Sequence, residues 1–469
     1  MPHPSSRRSF LHSSAALLGG AAFAAPFESF AARRRADEKA RHATDFGKLA
    51  PVKDKITGLP LIQLPEGFEY LTFGWEKDKL TEGGITPAMH DGMAVIASDA
   101  NTVTLCRNHE VDGSGKAFGS PEIAYDPQAA GGCTNLVFNT KEGKLVKSWS
   151  SISGTVRNCA GGPTPWGTWL TCEETLHEPG VKDAKGRAFS YEKTHGWIFD
   201  VPATAASEPQ PLKAMGRFVH EAIAIDPTSG IVYETEDKSA AGFYRFLPSA
   251  PGHLAEGGKL QMMKVKKVPD TRTGRKAGET FDVAWVDIEH PELAHSANPK
   301  DGKPDSAGVF MQGKQQGGSA FGGLEGCWFL DGRVFFTAKS GGDAKRGQIW
   351  EYIIAVEQLR LVYESRSSAD LNMPDNIVAS PRGGLVVCED GEGKEPMRLQ
   401  CLTREGKLCV FGVNNIDLTK TPHNGFGKDY RDGEWAGATF SPDGKWLFVN
   451  HQSPGITFAI TGPWKDGLL

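Results

Sequence analysis

His220-Glu221-Ala222-Ile223-Ala224-Ile225-Asp226-Pro227-Thr228-Ser229-Gly230-Ile231-Val232-Tyr233-Glu234-Thr235-Glu236-Asp237 reads as an acid, an apolar strand, a proline-glycine turn, a second strand and a closing pair of acids. Short β-branched or aromatic runs bounded by Gly, Pro, Asn and Asp are hairpin signals. The unit recurs. Leu324-Glu325 opens a strand that turns at Asp331-Gly332, and Asp375-Asn376 opens one that turns at Gly383-Gly384 and ends on Glu389-Asp390. Glu434-Trp435 leads through Asp443-Gly444 to Asn450-His451. Arg157-Asn158-Cys159-Ala160-Gly161-Gly162 runs to Thr171-Cys172-Glu173-Glu174 as a fifth copy, with Cys159 near the place of the leading acid, and Met93 to Glu110 is a looser sixth.

A recurring unit outranks any local assignment. Glu110 to Glu173 and Glu173 to Glu236 are each 63 residues, Glu325 to Asp375 is 50, and Asp375 to Glu434 is 59. A four-stranded blade takes roughly 40–50 residues, so the surplus is insertion, the largest running from Ser249 to Phe321. Helical periodicity is scarce: Ala284–Ala294 and Gln358–Glu364 are too short or broken. The expected fold is all-β, a single β-propeller of about six blades with a central channel and long insertions between strands. Two β-sandwiches would leave the repeat unexplained.

The chain begins Ser6-Arg7-Arg8-Ser9-Phe10-Leu11, followed by an apolar run from Ala15 to Ala25 and the small-residue pattern Ala22-Phe23-Ala24. Twin arginines before a run far shorter than the ~20 residues of a membrane span describe a twin-arginine (Tat) signal. It is expected to occupy residues 1–30 with cleavage near Ala24 or slightly later, followed by a polar linker over 31–55 and the propeller over 56–469. The expected location is the periplasm or the exterior, with the Tat machinery as export partner and no span in the mature protein. A net charge of −5 points to no nucleic acid or anionic membrane. The 39% apolar and 23% charged residues describe a folded, turn-rich chain. Eight cysteines do not make a disulfide scaffold of this length, although Cys401 and Cys409 bracket a hairpin and are placed to bridge.

The first strand of each blade lines a propeller's channel, so the leading acids Glu221, Glu325, Asp375 and Glu434 would converge with Cys159 on one axis. Crowded buried carboxylates repel and protonate unless cations neutralise them. Carboxylates suit Ca²⁺, and a thiolate among them suits a transition metal. A mixed multi-metal cluster is therefore expected, against the reading in which each acid merely caps a strand end. His90, His109, His195, His220 and His451 lie in turn-like sequence and read as structural, while Trp166 and Trp169 read as blade packing. Asp226-Pro227, Asp331-Gly332 and Asp443-Gly444 read as turns. No G-x-S-x-G, H-E-x-x-H or P-loop occurs.

Asn108-His109-Glu110, Asn158-Cys159-Ala160-Gly161-Gly162 with Thr164-Pro165-Trp166-Gly167-Thr168, Gly216-Arg217 before His220-Glu221-Ala222, Pro374-Asp375-Asn376, and Phe440 through Asp443-Gly444 to Asn450 resemble the PhoX-type alkaline phosphatases over roughly residues 60–460. The resemblance implies a six-bladed propeller holding Fe³⁺ and Ca²⁺ with a bridging oxo group and hydrolysing phosphomonoesters. It implies Cys159, Glu221 and Glu325 as iron ligands and Glu110, Glu173, Asp237 and Glu434 on the calcium side. The family glutamate matching Glu325 sits in Arg-Pro-Glu, its arginine holding phosphate. Here the sequence is Gly323-Leu324-Glu325, leaving Arg157, Arg346 and Arg382 as substitutes.

The expected function is a monomeric, exported phosphatase acting on small phosphorylated substrates. A metal-bound oxo or hydroxide would be the nucleophile, with no side-chain nucleophile. The alternatives are a calcium-dependent propeller lactonase or esterase, which needs no thiolate, and a non-catalytic binding propeller.

Overall fold

The computed structural model describes residues 45–182, 185–204, 206–294 and 308–469. The signal segment 1–30 and residues 31–44 of the expected linker lie outside the described residues. Six inner strands, His90–Ser98, Asn158–Pro163, His220–Ile225, Leu324–Leu330, Pro374–Ala379 and Trp435–Phe440, stand side by side in that order, and the last lies against the first. The ring closes around a channel, and the chain is a six-bladed β-propeller.

Each inner strand leads outward through antiparallel partners. Blade one continues through Thr102–His109, Gly131–Asn139 and Lys144–Thr155, and blade two through Thr168–Glu173 and Ile198–Pro202. Blade three adds Val232–Glu236, Phe243–Pro248 and Gly258–Val265; blade four adds Arg333–Ala338, Gln348–Ile353 and Gln358–Glu364. Blade five adds Leu385–Glu389, Arg398–Leu402 and Leu408–Asn414, and blade six adds Leu447–His451 and Ile456–Thr461.

Blade six is completed from the other end of the sequence. Glu69–Phe73 pairs with it from Thr457↔Phe73 to Thr461↔Glu69, so opening the ring requires losing a strand. Ile62–Pro65 and Leu49–Val52 extend blade five. Ordered sheet therefore begins at Leu49, inside the stretch read as linker, because the apolar residues there pair edge to edge. The Ser249–Phe321 stretch is only partly an insertion. It supplies blade three's outer strand and Thr280–Asp287, which bridges blades three and four through Gly258–Val265 and Gln358–Glu364. Among the described residues the α-helix is Val309–Gln315, and no helix is long and apolar enough to cross a membrane.

Between neighbouring blades the faces are packed with large apolar side chains. Tyr233 and Phe243 of blade three meet Phe336, Trp350 and Tyr352 of blade four, with Phe243 stacked on Phe336 at 4.3 Å between centroids. Burying each such ring contributes about 1.5–3 kcal/mol. Arg107 is wholly buried and donates to Gly74 O, Thr457 Oγ1 and Thr134 Oγ1, which ties blade one to blade six. All eight cysteines are free thiols, although Cys401 and Cys409 face each other across one strand pair.

Candidate metal centre

Each inner strand slips register near its start against its partner, and His90–Ser98 slips a second time between Val95 and Ala97. The slips near the starts fall between His90 and Met93, Asn158 and Gly161, His220 and Ile223, Leu324 and Cys327, Pro374 and Ile377, and Ala436 and Thr439. A bulge disrupts the ladder locally and re-aims a side chain. Five of the slips carry Asp91, Cys159, Glu221, Glu325 and Asp375. The sixth carries Gly437, whose added Cβ would lie 2.5 Å from Asp91 O. The shared hairpin geometry thus turns one residue per blade inward, four of them carboxyl groups and one a thiol.

A second tier lies above the first. The second strands end opposite the starts of the inner ones: His109, Glu173, Glu236, Ala338, Glu389 and His451 face His90, Asn158, His220, Leu324, Pro374 and Trp435. The next residue in each blade is Glu110, Glu174, Asp237, Lys339, Asp390 and Gln452.

Three overlapping groups bring ligand atoms within 4.8 Å of one another: Asp91–Glu110–Cys159, Cys159–Glu174–Glu221 and Glu221–Glu325–Asp375. Cys159 Sγ lies 3.0 Å from Glu221 Oε1 and 3.8 Å from Asp91 Oδ1. Burial, then the Asp91 and Glu221 charges, pushes the Cys159 thiol up. Burial and then Glu110 raise Asp91; burial and then Glu325 raise Glu221; burial and then Asp237 raise Glu325. Asp375 is pushed up to about 7, chiefly by burial. Glu221 Oε2 and Glu325 Oε1 are buried with no hydrogen-bond partner. Lys339 offsets part of this charge at Glu325 and Asp375, and bound cations would relieve the rest. Six carboxylates with one thiolate fit hard cations plus one ion that accepts sulfur.

Neighbouring side chains set the ligands in place. Asn108 Nδ2 donates to Cys159 O at 3.1 Å and Ala160 O at 2.7 Å, while its Oδ1 accepts from Trp169 Nε1 and Thr171 Oγ1, both at 2.9 Å. Gln452 Nε2 spans Asp91 Oδ2 and Glu110 Oε2. Arg157, at φ +50°, joins Glu110 Oε1 at 3.0 Å and Glu174 Oε2 at 2.7 Å.

Of the ligands expected from sequence, Cys159, Glu221, Glu325 and Glu110 come together in these groups. Asp237 borders them, its Oδ1 3.2 Å from where a Cβ on Gly323 would stand. Glu434 is raised by burial and then by Asp390, Asp91, Asp375 and Glu110, but belongs to none of the groups. Glu173 does not join them. It accepts from Val156 N, Gly196 N, Trp197 N and His195 Nδ1, which uses both its oxygens, and the adjacent Glu174 takes the place in the group.

The sequence reading also missed Asp91, Gln452 and Lys339. Counting from the leading residue finds part of this, since Cys159 to Glu174, Glu221 to Asp237, Glu325 to Lys339 and Asp375 to Asp390 are 15, 16, 14 and 15 residues. Arg382 stands at the turn joining the first two strands of blade five, the opposite end from Asp375, bonded to Gly444 O. Arg346 pairs with Glu392 at 3.6 Å. The five histidines bond to backbone or side chains: His90 to Pro87 O, His109 to Ala88 O, His195 to Glu173, His220 to Gly216 O and His451 to Asn414.

The family model described as alkaline phosphatase PhoX matches residues 44–148 and 137–455. No curated protein sequence matches significantly. Among solved structures, Pseudomonas fluorescens PhoX in complex with vanadate, a transition state analogue, is similar at 17% identity and TM-score 0.61, over 90% of this chain and 98% of that one. A gluconolactonase from Xanthomonas campestris aligns at 12% identity and TM-score 0.39, over 90% of this chain and 98% of its own. The WD40 propeller domain of Doa1 aligns at 12% and 0.36, over 84% and 97%. The match over nearly all of the described chain places this protein in the PhoX alkaline phosphatase family.

Proposed function

We propose that the protein is an exported, monomeric phosphatase that hydrolyses monoesters of phosphate at a centre of Fe³⁺ and Ca²⁺ in the propeller channel, reaching the periplasm or the exterior by the Tat route. The observation that carries the reading is the chain of three ligand groups in which Cys159 and Glu221 are each shared. Shared ligands would hold two cations near each other, an arrangement that suits stabilising the attacking and leaving oxygens of phosphoryl transfer. When bound, such ions neutralise the phosphate and bring an attacking water into a usable pKa range.

The chain's own residues do the rest. Asp91, Glu110, Cys159, Glu174, Glu221, Glu325 and Asp375 would hold the cations. Arg157, braced by Glu110 and Glu174 and 35% exposed along its side chain, meets the incoming phosphate, where a planar guanidinium is suited to paired oxygens. Cys159 favours this reading over a calcium-only lactonase.

Metal analysis of the purified protein, with hydrolysis of p-nitrophenyl phosphate before and after chelation, tests the proposal. Iron with calcium and chelator-sensitive activity are expected, and Cys159→Ser is expected to lose iron. Calcium alone with esterase activity, or no metal at all, refutes it.

A further inference from the structure

The two tiers combine by a rule. The first group is the inward residue of blade one, the rim residue of blade one and the inward residue of blade two: Asp91, Glu110, Cys159. The second is the same set one blade on: Cys159, Glu174, Glu221. The third group, Glu221, Glu325 and Asp375, is made of inward residues alone and takes no rim residue. Applied between blades four and five, the rule gives Glu325, Lys339 and Asp375. Here the rim residue is a cation, where blades one, two, three and five carry a carboxylate.

Strand pairing fixes this lysine's place. Leu324 and Ala338 are cross-strand partners, and Lys339 N donates to Gly323 O at 2.7 Å, so Lys339 rises beside the channel directly across from Gly323. Its Nζ bonds Asp390, lies 3.4 Å from Asp375 Oδ2 and 3.9 Å from Glu325 Oε1, while the side chain is 22% exposed. An ammonium has three protons and no acceptor. Three carboxylates surround this one, and Glu325 Oε1, at ion-pair distance, is buried with no hydrogen-bond partner. Two of its protons go to Asp375 and Asp390, and Glu325 attracts it from 3.9 Å, so its charge is compensated by protein carboxylates.

We propose that Lys339 is a resident cation of the centre: its ammonium stands between blades four and five where metal ions stand in the first two intervals. The proposal rests on the reading that cations occupy those first two intervals. The rim between blades four and five then takes no ion, and its charge at that flank is covalently fixed and unaffected by chelators.

Lys339→Glu restores a carboxylate at the rim. Metal is counted by mass spectrometry on wild type and variant after equilibration with excess Ca²⁺ and gel filtration. One further Ca²⁺ per chain in Lys339→Glu supports the proposal, and an unchanged or lower count overturns it. Anomalous scattering from wild-type crystals does not depend on the variant folding. Peaks in the first two intervals, with Lys339 between Glu325 and Asp375, support the proposal. A peak on the inward Glu221–Glu325–Asp375 group with Lys339 still on Asp375 and Asp390 is consistent with the proposal, whereas a metal peak in the ammonium's own place on Asp375 and Asp390, with the lysine displaced, overturns it. Wild type without any metal defeats the phosphatase reading as well, whereas metal-loaded wild type with no gain in the variant defeats this proposal alone.

Discussion

Asn108 touches no expected ligand atom, yet its amide settles where Cys159 sits. It satisfies two carbonyls, an indole N–H and a hydroxyl at once, all buried. Asn108→Ala leaves these groups unpaired in a dry interior, where each costs about 1–3 kcal/mol. A loss of roughly 3 kcal/mol in urea denaturation is expected, together with weaker metal retention from the loosened Cys159 loop. His195 supplies a pH test. It is fully buried between Glu173 and Asp126, and although burial alone lowers its pKa, the two carboxylates together raise it from 6.5 to about 9. The folded state thus holds the proton more tightly than the unfolded chain. This stabilisation is complete below about pH 6.5 and is lost as pH rises through about 9, with a ceiling of about 3 kcal/mol from the size of the shift. Denaturation at pH 6 and pH 9.5 should show wild type losing that increment and His195→Gln losing little.

At the scale of the strand, close contact between blades is as important as pairing within them. A Cβ on Gly92 would lie 2.6 Å from Ala160 Cα and 2.8 Å from Cys159 O. The strands carrying Asp91 and Cys159 approach that closely only because residue 92 has no side chain. Gly92→Ala is expected to cost about 1–3 kcal/mol as an overpacked contact and to lower metal occupancy by parting the Asp91–Glu110–Cys159 group. Metal analysis beside thermal unfolding separates the two effects. The hairpin units were legible in the sequence because β-branched runs and Pro-Gly turns mark them locally. The bulges were not, since a register slip depends on a partner strand and on the next blade pressing against it. Aligning Glu110 with Glu173 by their 63-residue spacing therefore landed one residue short of Glu174.

Across the whole molecule, the ring, its closing strand and the anionic channel depend on one another. Like charges gathered from six blades oppose closure, and the interblade rings and the Glu69–Phe73 pairing resist that repulsion. A ligand that binds only the folded state stabilises it by mass action, about 4 kcal/mol at 1,000 times its Kd. Chelation should therefore lower Tm by several degrees, with recovery on returning calcium and iron, and a Tm indifferent to chelator counts against a loaded channel. The sequence alone determined that this chain is a propeller with acids and one thiol at blade starts, because repetition of turn and strand is written residue by residue. Only the tertiary structure decided which acids meet, because a bulge sends Asp91 inward, backbone amides claim Glu173, and Lys339 arrives across from Gly323. Those outcomes are set by through-space contacts between segments distant in the chain, which no local pattern encodes.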